Sequence, residues 1–268
     1  MRSLFEDAVS CLAAREPDEK ITKTRKAAAA WARGELTLEA DACETRNERP
    51  GLPARLVLVS PFEVPRRRLG GRRGVAPFVH AIAHIEFNAI NLAWDCIQRF
   101  RDLPRDYYSD WVRVAADEAE HFGLLRARLH ALDSEYGDFP AHEGLWEMAE
   151  KTSADLLERM ALVPRYLEAR GLDVAPSMIQ RLERNGDMAT AGVVRLILRE
   201  EVAHVAAGSR WFRHVCEARG LDSDVEFIRL VRTRLAGRIK GPLNRDDRAR
   251  AGFSAAELDE LHGMTSAR

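Results

Sequence analysis

Arg199-Glu200-Glu201-Val202-Ala203-His204 sets a glutamate and a histidine three residues apart around Val202 and Ala203, and Asp117-Glu118-Ala119-Glu120-His121 repeats the acid, acid, x, x, His pattern. On an α-helix, side chains three apart share a face, with Cβ atoms roughly 5–6 Å from one another. Glu118 with His121, and Glu201 with His204, can therefore each grip one cation. Both motifs sit in apolar helical segments, where a buried carboxylate is costly unless it is paired or bound to a metal. A costly arrangement that occurs twice points to metal binding rather than to surface charge.

Working outward, the apolar periodicity from Pro77 onward is helical, with almost no strand signal. It predicts helices at about 77–100, 106–132, 143–170 and 188–219. Leu103-Pro104, Tyr136-Gly137-Asp138-Phe139-Pro140 and Asn185-Gly186-Asp187 mark the breaks. A dinuclear site in a four-helix bundle takes one glutamate from each of two helices and a Glu-x-x-His motif from each of the other two. Glu86 is the sole acid between Pro77 and Trp94, and it precedes Glu118 by 32 residues, centred beside the Leu103-Pro104 break. Antiparallel neighbours bring residues level when they are equidistant from the turn, so these two meet. Glu168 precedes Glu201 by 33 residues, centred on Asn185. A turn at Gly171 to Pro176 would pair Glu150 with Glu201 instead; Glu168 is preferred, and the alternative stays open. Pro164 removes a helical hydrogen bond and is expected to distort the helix just before Glu168.

The remaining sequence frames this set. Residues 1–75 are expected to form an N-terminal helical appendage, broken near Glu16-Pro17, and a Pro/Gly-rich connector with one extended candidate at Leu56-Val57-Leu58-Val59. Residues 76–220 carry the bundle. Residues 221–268 form a C-terminal helical extension in which Ser254-Ala255-Ala256-Glu257 reads as a capping box. The fold class is thus all-α. A net charge of −1 gives no global attraction to nucleic acid or to an anionic membrane. Four scattered cysteines without a C-x-x-C pair read as reduced thiols, and neither a secretory signal nor a membrane span is evident, so the expected location is cytoplasmic. The basic run at 66–73 reads as solvated charge, His80 and His84 as core or surface histidines, and the five tryptophans as packing.

The paired Glu-x-x-His motifs and their spacing resemble those of the ferritin-like diiron carboxylate proteins. More closely, "HAIAHIEFNAINLAWD", "YGDFPAHEGLWEMAEKT", "RMALVPRYLEARGLDV" and "REEVAHVAAGSRWF" resemble an uncharacterised bacterial ferritin-like family of unknown function, over nearly the whole chain including the "GPLNRDDRARAGFS" tail. Similarity to the diiron tRNA hydroxylase is distant. The resemblance implies a ferritin-like four-helix bundle whose metal positions map onto Glu86, Glu118, His121, Glu168, Glu201 and His204, with Glu118 or Glu201 bridging. Asp117 and Glu200 stand as the acids that would orient the histidines. Glu200 departs from the aspartate that the family carries there. Some relatives bear a rhamnosyltransferase label, but this chain offers no sugar-nucleotide site.

Four carboxylates and two imidazoles suit two iron ions, with Fe/Mn or Mn/Mn as variants. The implied activity is that of an oxygen-dependent oxidoreductase with molecular oxygen, an external electron donor and a small-molecule or macromolecular substrate as partners. Metal storage, or a helical module with a vestigial site, is the alternative. The fold alone does not select the reaction.

Overall fold

A computed structural model of the chain describes residues 2–39, 47–64, 71–235 and 239–266, with residues 71–73 and 266 lacking side-chain detail. The described residues are predominantly helical with almost no strand, and they fall into two compact units, Met1–Trp146 and Glu147–Arg268. None of the described helices is long and apolar enough to cross a membrane.

In the first unit, α1 (Leu4–Ala13) begins at a Ser3/Glu6 capping box, and α2 (Pro17–Ala32) begins on Pro17, whose fixed φ suits a first helical turn. Between them comes the expected break. A two-residue parallel pairing of β1 (Arg2–Ser3) with β2 (Leu36–Thr37) ties the start of the chain to the end of α2. Next come α3 (Gly71–Arg99) and α4 (Arg105–His130), which pack lengthwise on each other, while α1 covers α3 and α2 covers α4. Lys20 fastens this layer. Its fully buried ammonium group donates to the Cys11 and Leu12 carbonyls at 3.0 Å and to Asn91 Oδ1 on α3, so a side chain satisfies the open C-terminal end of α1. The connector crosses the same end of α1 at Gly51, where a Cβ would stand 2.2 Å from the Ala13 carbonyl oxygen; only glycine allows that approach.

Two expectations for this unit need correcting. Pro77 does not open the helix: α3 starts at Gly71 and carries Pro77 in its interior. Leu56 to Val59 forms no strand, only an isolated bridge between Leu58 and Ala141, because a single short segment has no partner long enough to pair with. The basic run at 66–73 lies outside the residues whose side chains are described.

In the second unit, the expected third helix at 143–170 is replaced by shorter pieces. They are α5 (Gly144–Lys151), which begins at the end of the first unit, then α6 (Leu156–Leu162), a π-helical segment at Val163–Glu168, and α7 (Ala169–Arg184). Asp155 caps α6 by accepting from the Leu157 amide. From α6 through α7 the helical path runs on past Gly171 and Pro176, and the reversal falls at Asn185-Gly186, where Gly186 takes φ +77°. α8 (Met188–Ala218) then returns along α6, the π segment and α7. α9 (Ser223–Arg234), α10 (Arg245–Arg250) and α11 (Ala255–Ser266) follow, and the Ser254/Glu257 capping box is present at α11.

Candidate metal centre

α3 supplies Glu86, and α4 supplies Glu118 and His121. Level pairing of these antiparallel helices brings the three together, and one ligand atom from each lies within 4.8 Å of the others. All three are buried, at 4, 1 and 0 % exposure. His121 Nδ1 lies 3.4 Å from Glu118 Oε2 and 3.6 Å from Glu86 Oε2. These separations are long for direct hydrogen bonds, which centre near 2.9–3.0 Å. Two donors bound to one ion at about 2.1 Å stand about 3.4 Å apart at a tetrahedral angle and about 3.0 Å apart at a right angle. The cluster therefore has the spacing of donors around a shared ion, and it can hold one.

Its electrostatics agree. Burial pushes the Glu86 carboxyl well above the usual carboxylate range, and the charge of Glu118 adds to the effect. Burial also works against a charged His121, but the carboxylates of Glu118 and Glu86 outweigh it and hold the imidazole up to about 11. Two carboxylates and an imidazole packed this closely must share protons when no cation lies among them, and a divalent ion would replace those protons. Phe87 and Phe122, each the residue after a cluster member, pack on the buried Tyr136 ring with centroids 5.1 Å away.

In the second unit, α8 carries Glu201 and His204, with His204 Nδ1 3.3 Å from Glu201 Oε2. His204 has no exposure and Glu201 has 8 %. The Glu-x-x-His geometry of α4 is thus repeated in detail, Nδ1 toward the carboxylate each time, because the same i,i+3 spacing on a regular helix fixes it. Glu168 ends the π segment. Its Oε2 is shielded from solvent, and Gly171, one turn further on, packs on Glu201: a Cβ there would lie 3.8 Å from Glu201 Cγ. Glu150 is exposed. The turn at Ala175-Pro176 that it needed is the interior of α7.

Asp117 and Glu200 are each partly exposed, and Glu200 accepts from Arg199 at 3.3 Å. His80 and His84 face the loop after α4, where His80 Nε2 accepts from the Gly137 amide at 2.8 Å and His84 Nδ1 meets the Tyr136 hydroxyl at 2.8 Å. Their work is to anchor that loop. Cys11, Cys96 and Cys216 are buried and form no disulfide among the described residues, and Cys43 lies outside those residues. The π segment was signalled in the sequence by Pro164 alone. Its close seat on α8 was not: a Cβ on Gly208 would stand 2.5 Å from Pro164 Cβ, and nothing local marks that glycine as a contact.

The chain belongs to the family described as "Protein of unknown function (DUF455)", whose model matches residues 13–259, a span that includes both Glu-x-x-His motifs, Glu86 and Glu168. It is 43% identical over 217 residues to an uncharacterized protein of Haemophilus influenzae, covering 78% of this chain and 75% of that relative. No solved structure matches the chain.

Proposed function

We propose that this member of a family of unknown function is a ferritin-like dinuclear iron carboxylate protein that acts as an oxygen-dependent oxidoreductase. The observation that carries this reading is the buried convergence of Glu86, Glu118 and His121, together with the repeat of the same Glu-x-x-His geometry at Glu201 and His204. In this reading residues 76–220 are the ligand-bearing bundle, and 1–75 and 221–268 are its extensions. Glu86, Glu118, His121, Glu168, Glu201 and His204 would together hold the two ions, with His121 on one and His204 on the other.

Carboxylate oxygens with one imidazole per ion, and no thiolate, favour iron or manganese over a structural zinc. Bound iron would supply the electrons that reduce molecular oxygen, with an external donor restoring them and an organic substrate, small or macromolecular, receiving the oxidation. The chain's own part is electrostatic and spatial. The carboxylates balance the charge of the ions, the two imidazoles present Nδ1, and the burial of Glu86, Glu118 and His121 keeps that cluster from water.

The deciding experiment is anaerobic loading with Fe(II), elemental analysis, and exposure to oxygen while absorption and Mössbauer spectra are recorded. Two irons per chain with stoichiometric oxygen uptake are expected. Reproducible binding of a single zinc after iron reconstitution would overturn the dinuclear reading. Accumulation of a mineral core of many irons per chain would assign the protein to storage.

A further inference from the structure

Glu168 stands on a helical path that two prolines should have broken. Pro164 lies inside the π segment, where the Ala169 amide reaches back five residues to the Pro164 carbonyl. Pro176 lies inside α7. A proline has no amide hydrogen, so the carbonyl four residues earlier, that of Leu172, loses its helical donor. That donor is replaced from far along the chain: Asn244 Nδ2 donates to Leu172 O at 3.1 Å.

Asn244 is one point of a larger grip by the C-terminal extension. Both oxygens of Glu257 accept from the one nitrogen Arg165 Nη2, at 2.8 and 2.7 Å, and Arg165 lies within the π segment, one turn before Glu168. Arg248 donates to both oxygens of Asp173, at 2.8 and 2.7 Å, just after it. The four charged partners are buried, none more than 4 % exposed. Phe253 lies between the two pairs, its ring 4.6 Å from the Arg165 guanidinium carbon and 5.0 Å from that of Arg248. The Arg248–Asp173 pair, two nitrogens on two oxygens, fixes geometry as well as supplying attraction. Removing one partner leaves an uncompensated buried charge. The contacts bracket Glu168 on both sides along the helix.

We infer that residues 244–257 form a clamp that holds the proline-interrupted helix in one shape and thereby aims the Glu168 carboxylate, making Arg165, Asp173, Asn244, Arg248 and Glu257 positioning residues for metal binding. This rests on the reading of Glu168 as a metal ligand. A regular α-helix would rotate Glu168 relative to its position after the π turn, since one extra residue is accommodated there. The clamp selects the π form by pairing Arg165 only where that form places it.

The test is Mn(II) titration of the full chain by calorimetry, with amide hydrogen exchange of 163–176 measured in parallel. Asn244→Ser keeps a capping side chain at the start of α10 but cannot reach Leu172, so it leaves folding intact if Glu257→Gln does not. Arg245→Ala, on the same extension but facing Asp259, is the control. Wild type should bind two Mn(II). Asn244→Ser and Glu257→Gln should weaken one of them by about 10- to 100-fold, the range typical of residues that support metal ligands, should match Glu168→Gln in which ion is weakened, and should speed exchange across 163–176. Arg245→Ala should do neither. A folded Asn244→Ser variant with both affinities unchanged would overturn the clamp as a positioning device, even if exchange increased. Wild type that binds no second ion would instead remove the metal reading of Glu168, and the inference with it.

Discussion

At the scale of single residues, the chain places ionisable groups where water cannot reach them, and each has a measurable consequence. Glu86 is driven upward mainly by burial, and His121 is held at about 11 by its carboxylate neighbours, so the imidazole retains its proton at neutral pH in the absence of a cation. A metal must displace that proton. Affinity for Mn(II) should therefore rise with pH between 6 and 8, and calorimetry in buffers of different ionisation enthalpy should detect proton release on binding. Lys20 is the opposite case. Burial lowers its folded value to about 7, from an ordinary value of 10.5. Between those values the unfolded chain binds the extra proton, so stability should increase with pH across this window. Lys20→Met should flatten that slope. It should also destabilise the protein by about 1–3 kcal/mol at pH 9, because the Cys11 and Leu12 carbonyls lose their buried donor. Denaturant midpoints of both proteins at pH 7 and pH 9.5 check the two effects together.

At the scale of elements, the position of a turn decides which glutamate is shielded and which is left to solvent. α7 passes through Pro176 and reverses only at Asn185-Gly186, which leaves Glu168 shielded beside Gly171 and Glu150 exposed. Glu168→Ala should lose one metal ion and Glu150→Ala none, with circular dichroism confirming that both stay helical. The π segment rests on α8 through the seat of Pro164 at Gly208, one turn beyond His204. Gly208→Ala would push a methyl group into a ring that has no rotamer to escape into. Overpacking of this kind costs about 1–3 kcal/mol, and here it should also shift the π segment, so a fall in melting temperature should come with loss of one ion.

At the scale of the molecule, each compact unit carries one Glu-x-x-His motif with a further glutamate in the same unit. Metal that binds only the folded chain should stabilise it by about 2.7 kcal/mol at a free concentration a hundred times Kd. The melting temperature should rise with Mn(II), fall back with a chelator, and lose most of that response in Glu118→Gln. The amino-acid sequence by itself determined the all-α class, the break between α1 and α2, the Ser254/Glu257 cap and the shared face of each Glu-x-x-His motif. All of these depend on periodicity or on residues within one turn of each other. It also placed Glu86 level with Glu118, because a short turn between antiparallel helices fixes their register. The Asn185-Gly186 turn was legible as well, and the fold closed the alternative at Pro176; tertiary structure alone decided that Pro77 and Pro176 sit inside helices and that the third helix breaks after α5. Local rules count the hydrogen bond a proline removes, but they cannot see the donor that replaces it. For Leu172 that donor is Asn244, and only the folded chain brings the two together.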